Sequence, residues 1–228
     1  MRLDKFICKS TDFNRNTAVS FILDGAVCVN GEVITDPVMQ VHENNCVTLH
    51  GDVLVPRPFR YIMAHKPSDT ICSNVDEAYP SVLKFLDIER TSELHIAGRL
   101  DADTTGLVLI TDDGRWSFNI IRPTQQCEKV YRVGLRDPMS ESTAVRLEQG
   151  VQLQGEASLT LPAKVTIVKP KEILLTITEG KYHQVKRMLA VVGNRVVSLH
   201  RESIGAVSLD IEVGQWRYLS AEEVECFL

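Results

Sequence analysis

The 228-residue sequence predicts an α+β protein of two domains, a small N-terminal module and a larger C-terminal domain. Apolar residues recur at helical spacing near the N-terminus and give way to short strand-like runs. That pattern is interrupted at Pro56-Arg57-Pro58, where prolines remove backbone donors and restrict the residues before them. We therefore expect a module over residues 1–55, a linker over 56–59 and a second domain over 60–228.

The N-terminal module is predicted to open with two short helices. Residues 2–9 carry apolar side chains at helical spacing, and residues 18–22 do the same before a stop at Gly25. Strand-like runs then flank Asn30-Gly31, a pair that favours a type I′ hairpin turn. Two helices followed by hairpins indicate a compact module.

The second domain shows the patterns of a sheet with helices packed against it. Residues 107–110 form a continuous apolar run, which is typical of a strand buried on both faces, and residues 128–136 alternate as a strand does. Residues 185–192 place apolar side chains at i, i+3, i+4 and i+7, which predicts one helix face. A capping box at Ser220-x-x-Glu223 predicts a short C-terminal helix.

Composition limits the classes of protein to which the chain can belong. Hydrophobic residues make up 44% of the chain, and no run approaches the roughly eighteen apolar residues of a membrane span. The N-terminus lacks the apolar core of a signal peptide, so we expect a cytoplasmic protein with no membrane partner. The six cysteines form no C-x-x-C pair and the six histidines show no metal-ligand spacing, which predicts reduced thiols and no metal site.

The net charge of -5 argues mildly against nucleic-acid binding, because phosphate contacts usually leave a basic footprint. Net charge is only an average, however. A cleft can concentrate lysine and arginine while the rest of the surface stays acidic. The pair Lys186-Arg187, off the apolar face of the helix predicted over 185–192, is one such local cluster.

The polar stretch from Gly98 to Gly114 contains more charged and hydroxyl side chains than a connector between two apolar runs requires. Its glycines permit close backbone approach, Arg99 and Asp101 carry opposite charges, and Thr104-Thr105 supply hydroxyl groups. A solvated loop ending in the Asp113-Gly114 turn is the ordinary interpretation of such a stretch. A functional site is the alternative. The residues alone do not show which of the several acidic side chains in the stretch would be the functional one.

The blocks Gly98-Arg99-Leu100-Asp101 and Thr104-Thr105-Gly106-Leu107 resemble the active-site motif of the pseudouridine synthases, in the branch that modifies ribosomal RNA. The resemblance implies that Asp101 is the nucleophile. It leaves Asp103, like Asp112 and Asp113, with a turn or solvent role. Arg99 would occupy or brace the space that the target nucleotide vacates.

Two later blocks match the same family in the same order. Glu128-Lys129-x-Tyr131 resembles the motif whose tyrosine packs on the target base, which implies that role for Tyr131. By pattern alone, a core tyrosine is the alternative. The block from Glu179-Gly180 to Met188 resembles the one in which a basic residue pairs with the catalytic aspartate, which implies that role for Lys186. A nearby positive charge favours the ionised carboxylate that a nucleophile requires.

Further resemblances add candidate RNA contacts. His65-Lys66-Pro67 resembles the family's Asn-Lys-Pro motif and implies that Lys66 touches the RNA backbone. Arg187 is a candidate phosphate ligand, and Leu199 lies where the family has an apolar residue over the base. Residues 1–55 resemble the S4 RNA-binding domain, which implies that Lys5 and Arg15 face RNA. Solvated side chains, or a plain core leucine at 199, are the alternatives.

An S4 module, a linker and a synthase domain in this order resemble the RsuA-type ribosomal small subunit pseudouridine synthases over nearly the whole chain. The resemblance implies a catalytic domain built on a mixed, mostly antiparallel β-sheet flanked by helices. It also implies isomerisation of one uridine in 16S ribosomal RNA, free or within an assembling subunit, by a monomer without a cofactor. The alternatives are a non-catalytic RNA-binding assembly factor, a synthase acting on another ribosomal RNA site, and a hydrolase using Asp101.

Overall fold

The computed structural model describes residues 1–228 and divides them into two compact units, Met1–Pro58 and Phe59–Leu228. The α-helices are α1 (Leu3–Ser10), α2 (Arg15–Leu23), α3 (Gly114–Ile121), α4 (Glu141–Glu148), α5 (Gln184–Val191) and α6 (Ala221–Glu225). The strands are β1 (Val27–Val29), β2 (Glu32–Val33), β3 (Val47–Leu49), β4 (Asp52–Val53), β5 (Tyr61–Lys66), β6 (His95–Ala97), β7 (Thr105–Thr111), β8 (Lys129–Leu135), β9 (Lys164–Lys169), β10 (Glu172–Ile177), β11 (Val196–Ile204), β12 (Val207–Ser208) and β13 (Trp216–Tyr218). Short 3-10 helices span Val82–Phe85, Thr91–Glu93 and Pro123–Gln125. No helix combines the length and the apolar character that crossing a membrane requires.

The first unit packs α1 and α2 with a four-stranded antiparallel sheet of order β2-β1-β3-β4. Asn14 begins α2 by accepting a hydrogen bond from the backbone of Thr17, which satisfies one of the helix's unpaired donors. Asn30 and Gly31 both adopt positive φ, at 52° and 86°. The type I′ hairpin and the two opening helices predicted from sequence are therefore confirmed.

The second unit is built on one sheet whose strands follow the order β13-β5-β7-β11-β8-β10-β9, with β6 paired to β7 and β12 to β11. Only β7 and β11 run parallel, and every other pair is antiparallel. The prediction of a mixed, mostly antiparallel sheet is confirmed. Every residue of β7 after Thr105 is buried, as the apolar run predicted.

Side chains on the two faces of the sheet pack into two separate hydrophobic cores. Val108 and Tyr131 lie in one core with Met188 of α5, whereas Leu107 lies in the other with Trp116 of α3. Because side chains of a strand point alternately to the two faces, neighbours in β7 belong to different cores. Helix α5 is thereby packed on the same face of the sheet as Tyr131.

The two acids at the end of β7 were expected to have turn or solvent roles, and a solvent role is wrong for both because each is hydrogen-bonded within the protein. Asp112 accepts hydrogen bonds from the backbone and the Nε of Arg60, both at 2.9 Å. Asp113 caps α3 through the backbone of Arg115 and accepts a hydrogen bond from the Tyr61 hydroxyl at 2.9 Å. Burial, followed by this bond to Asp113, raises the pKa of Tyr61. Both acids therefore fix the end of β7.

Candidate active site

The segment from Gly98 to Thr104 connects β6 to β7 and carries Asp101. It turns sharply, with Gly98 at φ 88° and the Thr104 N–H bonded to the Asp101 carbonyl at 3.1 Å. Just beyond the segment, a side chain at Gly106 would collide with the backbone of Arg201 in the paired strand β11. Glycine at 106 therefore allows β7 to approach β11, which fixes the C-terminal end of the segment.

Lys66, predicted to touch the RNA backbone, is instead completely buried beneath this segment. Its Nζ donates to the carbonyl oxygens of Pro67 at 3.0 Å, Ala102 at 3.1 Å and Thr104 at 2.7 Å. Burial lowers the pKa of Lys66. The prediction of an RNA contact is wrong, because the ammonium group is enclosed and its donors are occupied by the protein.

The carboxylate of Asp101 lies against the side chain of Lys186, on α5. The Lys186 Nζ donates to Asp101 Oδ2 at 2.9 Å and to Asp103 Oδ1 at 2.6 Å. Burial alone would lower the pKa of Lys186, but its hydrogen bonds to Asp103 and Asp101 raise it. The hydrogen bond from Lys186 also lowers the pKa of Asp103. Asp103, expected to have only a turn or solvent role, therefore shares the cation with Asp101.

His183 is a second neighbour of Asp101 for which the sequence predicted no role. Its Nε2 lies 3.4 Å from Asp101 Oδ1, so the two carboxylate oxygens face different side chains. His183 precedes α5 with φ 45° and ψ 37°, a left-handed conformation uncommon for a residue with a side chain. Its place directly before the helix that carries Lys186 was the available signal.

Arg201 is also part of the site and was missed. It is only 1% exposed, and its guanidinium donates to the carbonyl of Leu107 at 2.8 Å, the hydroxyl of Tyr131 at 3.2 Å and the carbonyl of Gly98 at 2.7 Å. Tyr131 is buried, and its ring centroid lies 5.8 Å from the Arg201 Cζ. Arg201 therefore ties Tyr131 to the start of the segment that carries Asp101. Its only signal was its position in the block of residues 200–205, directly after a strand-like run at residues 195–199.

The other residues predicted to contact substrate in this unit differ in their availability. Arg99 is exposed and makes no hydrogen bond or ion pair. Arg187, in contrast, donates to Glu156 at 3.2 Å and to the carbonyl of Tyr182 at 3.0 Å, so the role of phosphate ligand is not supported. Leu199 is buried in the same core as Tyr131, as a plain core leucine would be.

In the first unit, the basic residues surround a buried acid. Arg2 and Arg15 pair with Asp4 at 2.7 and 3.0 Å, and the side chain of Asp4 is fully buried. Burial would raise the pKa of Asp4, but the hydrogen bonds from the two arginines lower it. The side chain of Arg15 is nevertheless 62% exposed, and Lys5, next to Asp4 in sequence, is also exposed. Arg15 thus combines a structural bond with an accessible guanidinium edge.

The second unit holds the carboxylate of Asp101 in a defined orientation. Asp101 is partly buried, with one oxygen on a cation and the other near an imidazole, and such a group can act as a nucleophile or accept a proton. No group of three or more His, Cys, Asp or Glu side chains is arranged to hold a metal ion.

Comparisons with known proteins identify the family of each unit. The model of the RNA pseudouridylate synthase family matches residues 60–191, and the model of the S4 domain matches residues 1–45. A crystal structure of a pseudouridylate synthase is 42% identical and superposes with a TM-score of 0.74, covering 100% of both chains.

Curated relatives match over nearly their whole length. The ribosomal small subunit pseudouridine synthase A of Vibrio vulnificus is 49% identical over 99% of this chain and 98% of its own. The proteins of the same name from Vibrio cholerae and Escherichia coli K12 are 46% and 45% identical, each covering 98% of both chains. The chain therefore belongs to the RNA pseudouridylate synthase family of isomerases and carries an S4 domain ahead of its synthase domain.

Proposed function

We propose that the protein converts one uridine of 16S ribosomal RNA to pseudouridine, with Asp101 as the nucleophile. The observation that carries the proposal is the contact of Asp101 with Lys186 at 2.9 Å in a chain of this family. The choice of RNA is supported by relatives named for the ribosomal small subunit. The ammonium group of Lys186 beside the carboxylate orients it, as nucleophilic chemistry requires.

The reaction breaks the bond between N1 of uracil and C1′ of the ribose, turns the base and forms a bond from C5 to C1′. The proton on C5 is lost to solvent, N1 takes up a proton in its place, and no cofactor or energy source is consumed. Asp101 would attack C1′ or C6, or assist removal of the C2′ proton. Each role needs the same ionised carboxylate next to the base.

The surrounding side chains would prepare the base for this step. A uridine must leave its stack to reach a partly buried carboxylate, which costs a few kcal/mol. Tyr131 would receive the base, and Arg201 would hold the hydroxyl of Tyr131 through its bond of 3.2 Å. Arg99, which is exposed and unpaired, would enter the vacated space in the RNA.

The first unit would add affinity for RNA. Its S4 match, the exposed Lys5 and the exposed edge of Arg15 support contacts with phosphates. Such contacts position the RNA and carry little sequence information. We propose that the protein acts as a cytoplasmic monomer on free RNA or on a partly assembled subunit.

Tritium release from 16S RNA labelled at C5 of its uridines tests the proposal. The wild-type protein is expected to release label, whereas Asp101→Asn and Asp101→Ala release none and keep their fold and most of their RNA affinity. Asp137→Asn, on an exposed loop, is the matched control and should behave as wild type.

Three results would contradict the proposal in different ways. Wild-type activity in Asp101→Ala would exclude that residue as the nucleophile. Release from 23S RNA but not from 16S RNA would favour a synthase acting on another ribosomal site. Binding without release from free RNA and from assembling subunits would favour the non-catalytic assembly factor.

A further inference from the structure

Tyr182 is the most exposed aromatic side chain of the protein, with 75% of its surface open to solvent. One face of its ring stacks on the imidazole of His183, with ring centroids 3.8 Å apart and an interplanar angle of 22°. An exposed apolar side chain is ordinary by itself. Tyr182 is different because its ring stacks on His183, which lies beside the carboxylate of Asp101.

The backbone that carries Tyr182 is held by a network of bonds. The Tyr182 carbonyl accepts from Arg187 at 3.0 Å, and Arg187 and Lys181 each pair with Glu156 at 3.2 Å. The Lys181 N–H donates to the Gln184 side chain at 2.8 Å. The residues on both sides of Tyr182 are therefore anchored, and its ring stays 75% exposed while it stacks on His183. A pre-ordered aromatic ring loses little conformational freedom when a ligand stacks on it.

The position of the ring relative to Asp101 follows from His183. The imidazole contacts Tyr182 on one side and places its Nε2 3.4 Å from Asp101 Oδ1. The Tyr182 ring is therefore separated from the carboxylate by a single imidazole. A uridine that leaves its stack to reach Asp101 leaves neighbouring bases with an uncovered face. Unstacked RNA bases are commonly bound by stacking on aromatic side chains.

We propose that Tyr182, supported by His183, is a stacking platform for an unpaired nucleobase that flanks the target uridine. The inference rests on the proposed function, because it takes Asp101 as the point that the target reaches. Stacking on an aromatic face tolerates any base and strengthens binding by about 5- to 150-fold per base. Tyr182 would thus offset part of the cost of extracting the target and leave the choice of uridine to other contacts.

The platform predicts a specific pattern among four variants in the tritium-release assay. Tyr182→Ala and Tyr182→Leu should raise KM by about tenfold or more with kcat within about twofold of wild type. Tyr182→Phe and Tyr182→Trp should keep the wild-type KM, because both retain an aromatic face. The leucine variant still covers the imidazole, so it separates loss of stacking from exposure of His183.

Controls separate the platform from a structural role. Phe118→Ala removes another exposed aromatic ring, on α3, and should leave KM and kcat unchanged. An unchanged KM in Tyr182→Ala would overturn the platform, and so would a loss in Tyr182→Phe equal to that in Tyr182→Ala. A fall in kcat with KM unchanged would assign Tyr182 to the support of His183 and would overturn it as well.

A binding measurement makes failure of the platform distinguishable from failure of the proposed function. Absence of tritium release by the wild-type protein would overturn the proposed function. Retention of labelled 16S RNA on filters, measured in the Asp101→Asn background, then still decides the platform. If adding Tyr182→Ala to Asp101→Asn raises the Kd for RNA tenfold or more, the platform is supported. An unchanged Kd overturns it.

Discussion

Two lysines hold the segment that carries Asp101, and they do so through different groups. Lys66, at the end of β5, donates to the backbone carbonyls of Ala102 and Thr104. Lys186, on α5, donates to the carboxylates of Asp101 and Asp103. One lysine therefore fixes the course of the chain, and the other fixes the charged atoms that the chain presents.

The partners of each lysine explain the difference. Burial lowers the pKa of Lys66, whose hydrogen-bond acceptors are neutral carbonyls. The pKa of Lys186 is raised despite partial burial, because two carboxylates accept its hydrogen bonds. The enclosed ammonium group of Lys66 has no free N–H left to donate to a ligand, whereas that of Lys186 orients the two carboxylates that accept its hydrogen bonds. Lys66 thus stabilises the conformation of the segment, whereas Lys186 sets the electrostatic environment of its carboxylates.

The largest effect is expected for Lys186→Met in the tritium-release assay. Loss of the cation should lower kcat by about 100- to 1,000-fold, since Asp101 loses its orienting charge. The free energy of unfolding should change by no more than about 1 kcal/mol, because the ion pairs are partly exposed. RNA affinity should fall much less than kcat. A variant that turns over at the wild-type rate would break the assignment of an electrostatic role to Lys186.

Asp103→Asn is the matched control for that variant, because it removes only the second carboxylate that Lys186 holds. We expect kcat to fall less than about tenfold. Removal of an exposed negative charge should also leave RNA affinity unchanged or improve it. A loss of kcat as large as that of Lys186→Met would mean that the pair of carboxylates acts as a unit.

Lys66→Met should show the opposite balance between activity and stability. The carbonyls of Ala102 and Thr104 lose their buried donor, so the free energy of unfolding should fall by about 2–3 kcal/mol in urea titrations. Activity should fall as well, because the segment that carries Asp101 is less well held. An unaltered unfolding transition together with lost activity would mean that Lys66, like Lys186, acts through its charge and not through the conformation of the segment.

The smallest effect is a contrast in how stability depends on alkaline pH. The folded pKa of Lys66 lies below its ordinary 10.5, so the unfolded chain binds more protons just below pH 10.5 and this lysine makes stability rise with pH there. The folded pKa of Lys186 lies above 10.5, so its contribution is complete below that pH and is lost as pH rises through the folded pKa.

Urea titrations of the wild-type protein and the two methionine variants from about pH 8 to 11 would measure this contrast. Lys66→Met should remove the rise below pH 10.5, and Lys186→Met should remove part of the fall above it. Identical pH profiles for the two variants would show that the lysines do not differ as described.

Local patterns were sufficient for much of the fold. The apolar run of β7, the turn at Asn30-Gly31 and the apolar face of α5 each depend on neighbours within a few residues. Hydrophobic periodicity and turn chemistry are properties of such short windows, so the chain alone specifies them. Resemblance of motifs added the pairing of Lys186 with Asp101 as an expectation.

The roles of Lys66, Arg201 and His183 depended on contacts that no local window contains. Arg201 reaches the Gly98 carbonyl across 103 residues of sequence, and Lys66 reaches the Thr104 carbonyl across 38. Whether a cation meets a carbonyl, a carboxylate or solvent is fixed only when strands pair and helices pack.

The sequence by itself therefore determined the two opening helices, the strands β7 and β8, the apolar face of α5 and the motif that contains Asp101, because their signals are short in range. Only the tertiary structure decided which charged side chains are buried, which are shared and which remain open to RNA. The physical reason is that charge and hydrogen-bonding energies depend on the partners and the burial that folding creates. Lys66 and Lys186 are the same residue type, yet folding lowers the pKa of the first and raises the pKa of the second.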